Sequence, residues 1–317
     1  MPTRRHVIQS LVGGTALALI AGPVASLAQA AAPKRVALLV GVEEYQKPPF
    51  SKLNWCERDV TEVGDELKQL GFDTVRVLRG SAQGADQATR SNILAALNTL
   101  VEPLGSHDLI VVMLSGHGQQ FRFQEDDPAN PGKQREREDA FFCPVDAVNR
   151  SPEKLVSLSH ITDTILANNV GKRLVLVDAC RDEPKDLNKG AKGIQGKQIT
   201  LTEDTGVFFS CKSDQQSWVN DELRHSLFSY CVLEALRGQG ADGGEITWAG
   251  MVNHVTRRMA SADMKGRVPG DRVQTPISAG SVEHTVLGRL RGASETKPAA
   301  RPALLLAPFD QKMARAR

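Results

Sequence analysis

The chain has 317 residues, room for one large or two ordinary domains, and 41% are hydrophobic, enough for a packed core without disulfide support. Its 39 basic residues fall to 37 once residues 1–30, with Arg4 and Arg5, are set aside, and 37 acidic residues balance them. That balance excludes the broad positive surface that nucleic acid requires, so no nucleic-acid partner is expected.

The amino-terminal stretch reads as a targeting segment. Thr3-Arg4-Arg5 precedes an apolar run from Leu11 to Leu27, and Ala28-Gln29-Ala30 fits a small-residue cleavage site. Gly13, Gly14, Gly22 and Pro23 break the run, which is short for a membrane span. Residues 1–30 are therefore expected to be a twin-arginine export signal rather than an anchor, placing the mature protein in the periplasm or medium without a stable membrane span. Five cysteines follow, Cys56, Cys143, Cys180, Cys211 and Cys231, with no C-x-x-C spacing that would suggest zinc. Their odd number leaves at least one free thiol.

Val36 to Val42 (VALLVGV) reads as a first central strand. From Cys56 to Leu70 the apolar residues Val60, Val63, Leu67 and Leu70 recur at helical spacing, and Gly71 stops the helix. Asp73 to Leu78 is a short strand, and Thr89 to Leu100 a second helix with Ile93, Leu94, Leu97 and Leu100 on one face. Asp108 to Ser115 (DLIVVMLS) is a buried strand ending in Gly116-His117-Gly118. Phe121 to Glu138 is polar and charged and is expected to be a surface loop. Ser159 is expected to cap a helix through Ala167. Lys172 to Glu183 (KRLVLVDACRDE) holds a second buried strand, Leu174 to Val177 then Ala179, ending at Cys180.

Asp182 to Thr205 has four lysines and few apolar residues, the composition of an exposed linker. Order resumes with a strand at Gly206 to Cys211, helices near Ser226–Leu236 and Thr247–Met259, and an edge strand at Thr275-Pro276-Ile277-Ser278. From Gly288 onward the chain is Ala-, Pro- and Arg-rich and reads as a disordered tail. The alternation of strand and helix gives an α/β class with a mainly parallel central sheet of about six strands flanked by helices.

Two strands thus end in a histidine and a cysteine, 63 residues apart. Reactive groups in open parallel sheets gather at the carboxyl ends of strands, and adjacent strands would join these into a nucleophile and its base. A thiol is a weak nucleophile until an imidazole takes its proton. The glycines beside His117 allow close approach of a substrate backbone. The Gly118 and Cys180 amides could together hold an oxyanion.

Ser115-Gly116-His117-Gly118 followed by Asp178-Ala179-Cys180-Arg181 resembles the caspase-like cysteine peptidases, particularly their bacterial metacaspase- or orthocaspase-like branch. Leu53 to Phe72, Asp139 to Asp146, His225 to Leu236 and Gln274-Thr275-Pro276 fall where that family has similar segments. The resemblance implies a caspase-like fold with a larger front part (33–181), a cleavable linker (182–205) and a smaller back part (206–287). It also implies a Cys180–His117 dyad without an obligatory third residue. Caspases carry Gln-Ala-Cys where this chain has Asp178-Ala179-Cys180. In the metacaspase-like branch the matching aspartates, here Asp178 and Asp59 with Cys56 and Ser115 beside them, line the S1 pocket. Two converging carboxylates repel unless a cation sits between them, which selects Arg or Lys at P1 and rejects Asp.

The same resemblance brings up calcium. Asp139 matches one family ligand, but two others fall near Leu158 and Ser159, which cannot replace carboxylates around a hard cation. No required cofactor or metal is expected. The linker lysines Lys185, Lys189, Lys192 and Lys197 are candidate self-cleavage sites for an acidic S1 pocket. His107, His160, His225, His254 and His284 are expected in surface or capping roles, and Trp55, Trp218 and Trp248 in packing. The expected partners are peptides or proteins with a basic P1 residue. A non-catalytic binding protein of this fold, or a peptidyl transferase using the same dyad, are the alternatives.

Overall fold

The computed structural model describes residues 32–180, 203–212 and 215–290. The expected export signal, the four linker lysines and most of the expected tail lie outside these residues. The front part runs β1 (Arg35–Gly41), α1 (Cys56–Gln69), β2 (Thr74–Arg79), α2 (Arg90–Val101), β3 (Leu109–Asp126), β4 (Gln134–Phe142), β5 (Val156–Ser157), α3 (Leu158–Ala167) and β6 (Lys172–Cys180). The back part continues with β7 (Thr205–Phe209), β8 (Val219–Asn220), β9 (His225–Ser226), α4 (Leu227–Glu234), β10 (Ala241–Asp242) and β11 (Glu245–Thr247). It ends with α5 (Trp248–Met259), α6 (Ala262–Gly266), β12 (Ile277–Gly280) and β13 (Val286–Arg289).

The main sheet has the order β12-β7-β6-β3-β1-β2. Its strands are parallel except β12, which closes the back edge antiparallel to β7. Both faces are covered, which is why the strands read as unbroken apolar runs. Alternation along each strand divides the core in two. Leu38, Val40, Ile110, Val112, Val175 and Val177 pack on one face with Ile93 and Leu97 of α2 and Ile161 and Ile165 of α3. On the other, Leu39, Val111, Met113, Leu176 and Phe208 meet α1, α4 and α5. Burying each such side chain contributes roughly 1.5–3 kcal/mol.

Local signals set the ends. Gly71 takes the left-handed conformation (φ 84°) that stops α1, and Thr89 caps α2 by accepting from the Asn92 amide. Ser157, not Ser159, caps α3, accepting from the His160 amide at 2.9 Å. β13 carries regular structure to Arg289, into the region assigned to the tail by composition.

The larger departure is at Phe121 to Glu138, which is no loop. β3 runs on past the core and pairs antiparallel with β4 from Gly118↔Phe142 to Asp126↔Gln134. Cross-strand ion pairs replace burial along this ribbon, among them Arg135–Glu125 at 2.5 Å and Arg122–Glu138 at 3.3 Å. Its root is apolar, with the Phe121 and Phe141 rings stacked 4.8 Å apart. Exposed ion pairs each contribute only about 0.2–1 kcal/mol, so the stacked root anchors the ribbon. No helix among the described residues is long and apolar enough to cross a membrane.

Candidate active site

β3 and β6 lie side by side in parallel, and their register sets His117 opposite Cys180 and Ser115 opposite Asp178. The two strand ends singled out by sequence are therefore neighbours at one end of the sheet. His117 is buried, flanked by the rings of Tyr45 (5.1 Å) and Phe50 (5.8 Å) from the loop after β1. Its main-chain N–H donates to the Tyr45 hydroxyl at 2.8 Å. The ring Nε2 lies 2.9 Å from the Ser51 carbonyl oxygen. A carbonyl only accepts, so Nε2 carries the hydrogen, and in the neutral ring Nδ1 holds the lone pair. The loop thus fixes the tautomer a general base needs. Tyr45 and Ser51 could not be picked out from sequence, because a backbone carbonyl leaves no compositional signal.

The main-chain carbonyl of His117 accepts from the Cys143 amide on the β4 side. Backbone groups alternate along a strand, so the Gly118 N–H is directed to the opposite edge.

Two residues before His117 and Cys180 stand Ser115 and Asp178, a second group of chemical interest. Asp178 is buried, and three hydroxyls from the back part converge on it. Ser217 donates to Oδ1 at 2.7 Å, and Ser226 and Ser229 donate to Oδ2, the latter at 2.8 Å. Gln274 holds Ser217 in place, its Nε2 lying 3.1 Å from the hydroxyl. Asp59, on the first turn of α1, is fully buried beside it. It meets His225 Nδ1 at 2.5 Å and accepts from the Ser226 amide at 3.2 Å. Ser226 therefore touches both carboxylates, one through its amide and one through its hydroxyl. Cys56, also buried, opens α1 one turn before Asp59.

Burial pushes the Asp59 carboxyl up to about 7, with the charge of Asp178 adding to the rise and the His225 hydrogen bond opposing it. His225, expected at the surface or in a cap, is instead buried in an acidic setting, and His254 is buried against Glu234 at 3.3 Å. His107, His160 and His284 are exposed as expected. Among the tryptophans Trp248 packs in the core, while Trp55 and Trp218 are half-buried beneath the guanidinium groups of Arg224 and Arg272. The serines around Asp178 were missed by sequence reading, although Ser226 and Ser229 stand one helical turn apart at the start of α4.

Asp139, the one residue matching a family calcium ligand, is buried in β4. Its Oδ1 accepts from the Ser159 hydroxyl (2.9 Å) and the Ala140 amide (2.8 Å). Its Oδ2 accepts from the Ser157 hydroxyl (2.5 Å) and faces Arg137 at 3.4 Å. Hydroxyls and a guanidinium surround the carboxylate where further anionic oxygens would be needed, so these residues do not fit calcium. The described cysteines, Cys56, Cys143, Cys211 and Cys231, are buried and unbridged.

A family model described as a caspase domain matches residues 34–280. Among solved structures, protein GSU0716 from Geobacter sulfurreducens superposes with a TM-score of 0.55 at 19% identity, over 81% of this chain and all of that one. At that identity the likeness concerns the fold. No curated protein matches the chain. With the family model spanning most of the chain and the β3–β6 register joining the two strand ends, the protein belongs to the caspase-domain family of cysteine peptidases.

Proposed function

We propose that the protein is an exported endopeptidase that cleaves after Arg or Lys, with Cys180 as nucleophile and His117 as base. The observation that carries this reading is the register of His117 with Cys180, with the buried Asp59–Asp178 pair beside it. The Cys180 thiol passes its proton to His117 Nδ1, and the thiolate attacks the carbonyl carbon. The electron pair displaced onto oxygen is received by the Gly118 and Cys180 amides. Collapse expels the amine, which takes the proton back from His117. Water deprotonated by the same imidazole then hydrolyses the thioester. Asp178 and Asp59, with Cys56 and Ser115 at their side, take the P1 cation.

The deciding experiment is hydrolysis of P1-varied fluorogenic peptides by the mature chain, beside Cys180→Ala and His117→Ala. Cys180→Ala abolishes turnover, and His117→Ala lowers it by at least ~10²–10⁴-fold, the span of general-base assistance. Full activity in Cys180→Ala, or faster cleavage after Asp than after Arg, would overturn the reading. The reading includes self-cleavage after Lys185, Lys189, Lys192 or Lys197. New amino termini in the incubated mature chain, absent from Cys180→Ala, are its signature.

A further inference from the structure

We propose that His225 is a specificity-determining residue of the acidic site: in the free protein it fills the cation position against Asp59, and an entering basic side chain drives one proton out of the His225–Asp59 pair. This rests on the proposal that Asp59 and Asp178 receive the P1 cation. At 2.5 Å one proton lies between His225 Nδ1 and Asp59, and where the carboxyl is ionised the imidazole is its donor. Ser226 bonds both carboxylates, which keeps the two buried groups close. Among the described residues Asp178 receives only neutral hydroxyls, leaving the pair of carboxylates with one described neighbour able to carry positive charge.

The surrounding charges are engaged elsewhere. On α1, Glu62 lies 3.6 Å from His225 Nε2 but is shared between Arg58 at 2.7 Å and Arg237 at 3.0 Å. In the turn leading to β9, Asp221 accepts from the Trp55 indole, Glu222 pairs with Arg267, and Arg224 lies over the Trp55 ring. From α4 the neighbour is the Tyr230 ring, 6.2 Å away. Among the described residues, then, the adjustable charge beside the two carboxylates is the proton held between Asp59 and His225. That burial lifts Asp59 to about 7 puts its release in the working range.

A basic side chain and this proton compete for one place. Binding of a P1 cation weakens on acidification, by up to about tenfold per pH unit below the midpoint of the pair.

The test uses the full-length Cys180→Ala protein and benzamidine, a small amidinium that probes the pocket without the dyad. Binding heats at pH 7 in phosphate and in Tris report the protons exchanged, and Kd is followed from pH 5.5 to 8.5. The expected result is release of about half to one proton, with Kd rising as pH falls. Adding His225→Asn, which keeps a donor near the Nδ1 position but cannot hold a charge, moves the midpoint upward by at least about one pH unit. Binding with no proton released, or an unchanged midpoint in His225→Asn, overturns the proton exchange and leaves the basic-P1 reading standing. No binding of benzamidine at any pH overturns both. If His225→Asn fails to fold, the buffer dependence of the parent decides alone.

Discussion

Asp178 and Asp139 are both buried carboxylates that gather serine hydroxyls, yet they are finished differently. Asp139 is closed locally: Ser157 and Ser159 come from the adjoining β5–α3 junction, and Arg137, two residues before it, supplies the positive charge. Asp178 draws its three hydroxyls from Ser217, Ser226 and Ser229 in the back part, and a second carboxylate stands beside it. A buried charge with its own counter-ion is already compensated, whereas one met by neutral hydroxyls remains attractive to a cation. Under the proposed function, the difference separates a structural acid from a ligand-reading one in the same molecule.

Asp178→Asn puts the largest strain on that distinction. It keeps the shape and most hydrogen bonds while removing charge, so kcat/KM for a P1-Arg peptide should drop ~100-fold or more, the scale of losing one partner of a desolvated charge pair. A loss under about threefold would make Asp178 a structural acid as well.

Asp59→Asn sharpens the comparison through stability. The folded state raises this carboxyl to about 7, whereas its ordinary value is 3.8. Between those values the folded chain holds more protons than the unfolded one, so stability falls as pH rises through that window. The variant should therefore melt higher than the parent at pH 8, by on the order of 2 kcal/mol, with the gap closing towards pH 4. A gap that widens on acidification would show that the carboxyl is not destabilised by burial.

For Asp139→Asn the expected signs reverse. Activity stays within about threefold, while stability falls by about 1–2 kcal/mol through weakened hydrogen bonds to Ser157 and Ser159. Thermal melts and peptide assays on one preparation separate these outcomes. The smallest effect is that of chelation. Since the Asp139 surroundings do not fit calcium, excess EDTA should change turnover less than about twofold. A larger loss, restored by calcium alone, would move Asp139 out of the structural class.

Much of the fold was legible because it rests on local rules. Period and breakers gave the parallel strands, Gly71 and Thr89 marked helix ends, and adjacency of the strand ends followed from sheet topology. The β3–β4 ribbon was not legible, because its alternation is carried by charged residues that pair across the strands rather than by an apolar face. The adjacency of His117 and Cys180 was legible for the first reason. The hydroxyl cradle was hidden for another: Ser217 and Ser229 reach Asp178 across 39 and 51 residues of chain. His225 was misjudged because a histidine's burial depends on the fold around it, here on α1 bringing Asp59 to meet it.

The foot of β7 has a bearing on chain connectivity. Thr205 pairs with Arg173 at the start of β6, whereas Cys180 lies at its far end. Cys180 and Thr205 therefore stand at opposite ends of β6, separated along the strand by roughly 23 Å at ~3.3 Å per residue. Glu203, Asp204 and Thr205, which open the back part, are held by the start of β6. Arg173 donates to the Thr205 hydroxyl and the Glu203 carbonyl, and Lys172 pairs with Asp204. Severing the connection would leave those bonds and the five β6–β7 register pairs in place. The seam between front and back parts would then be a subunit interface, and residues 33–180 and 203–290, produced as separate polypeptides, would be expected to complement one another as a split protein.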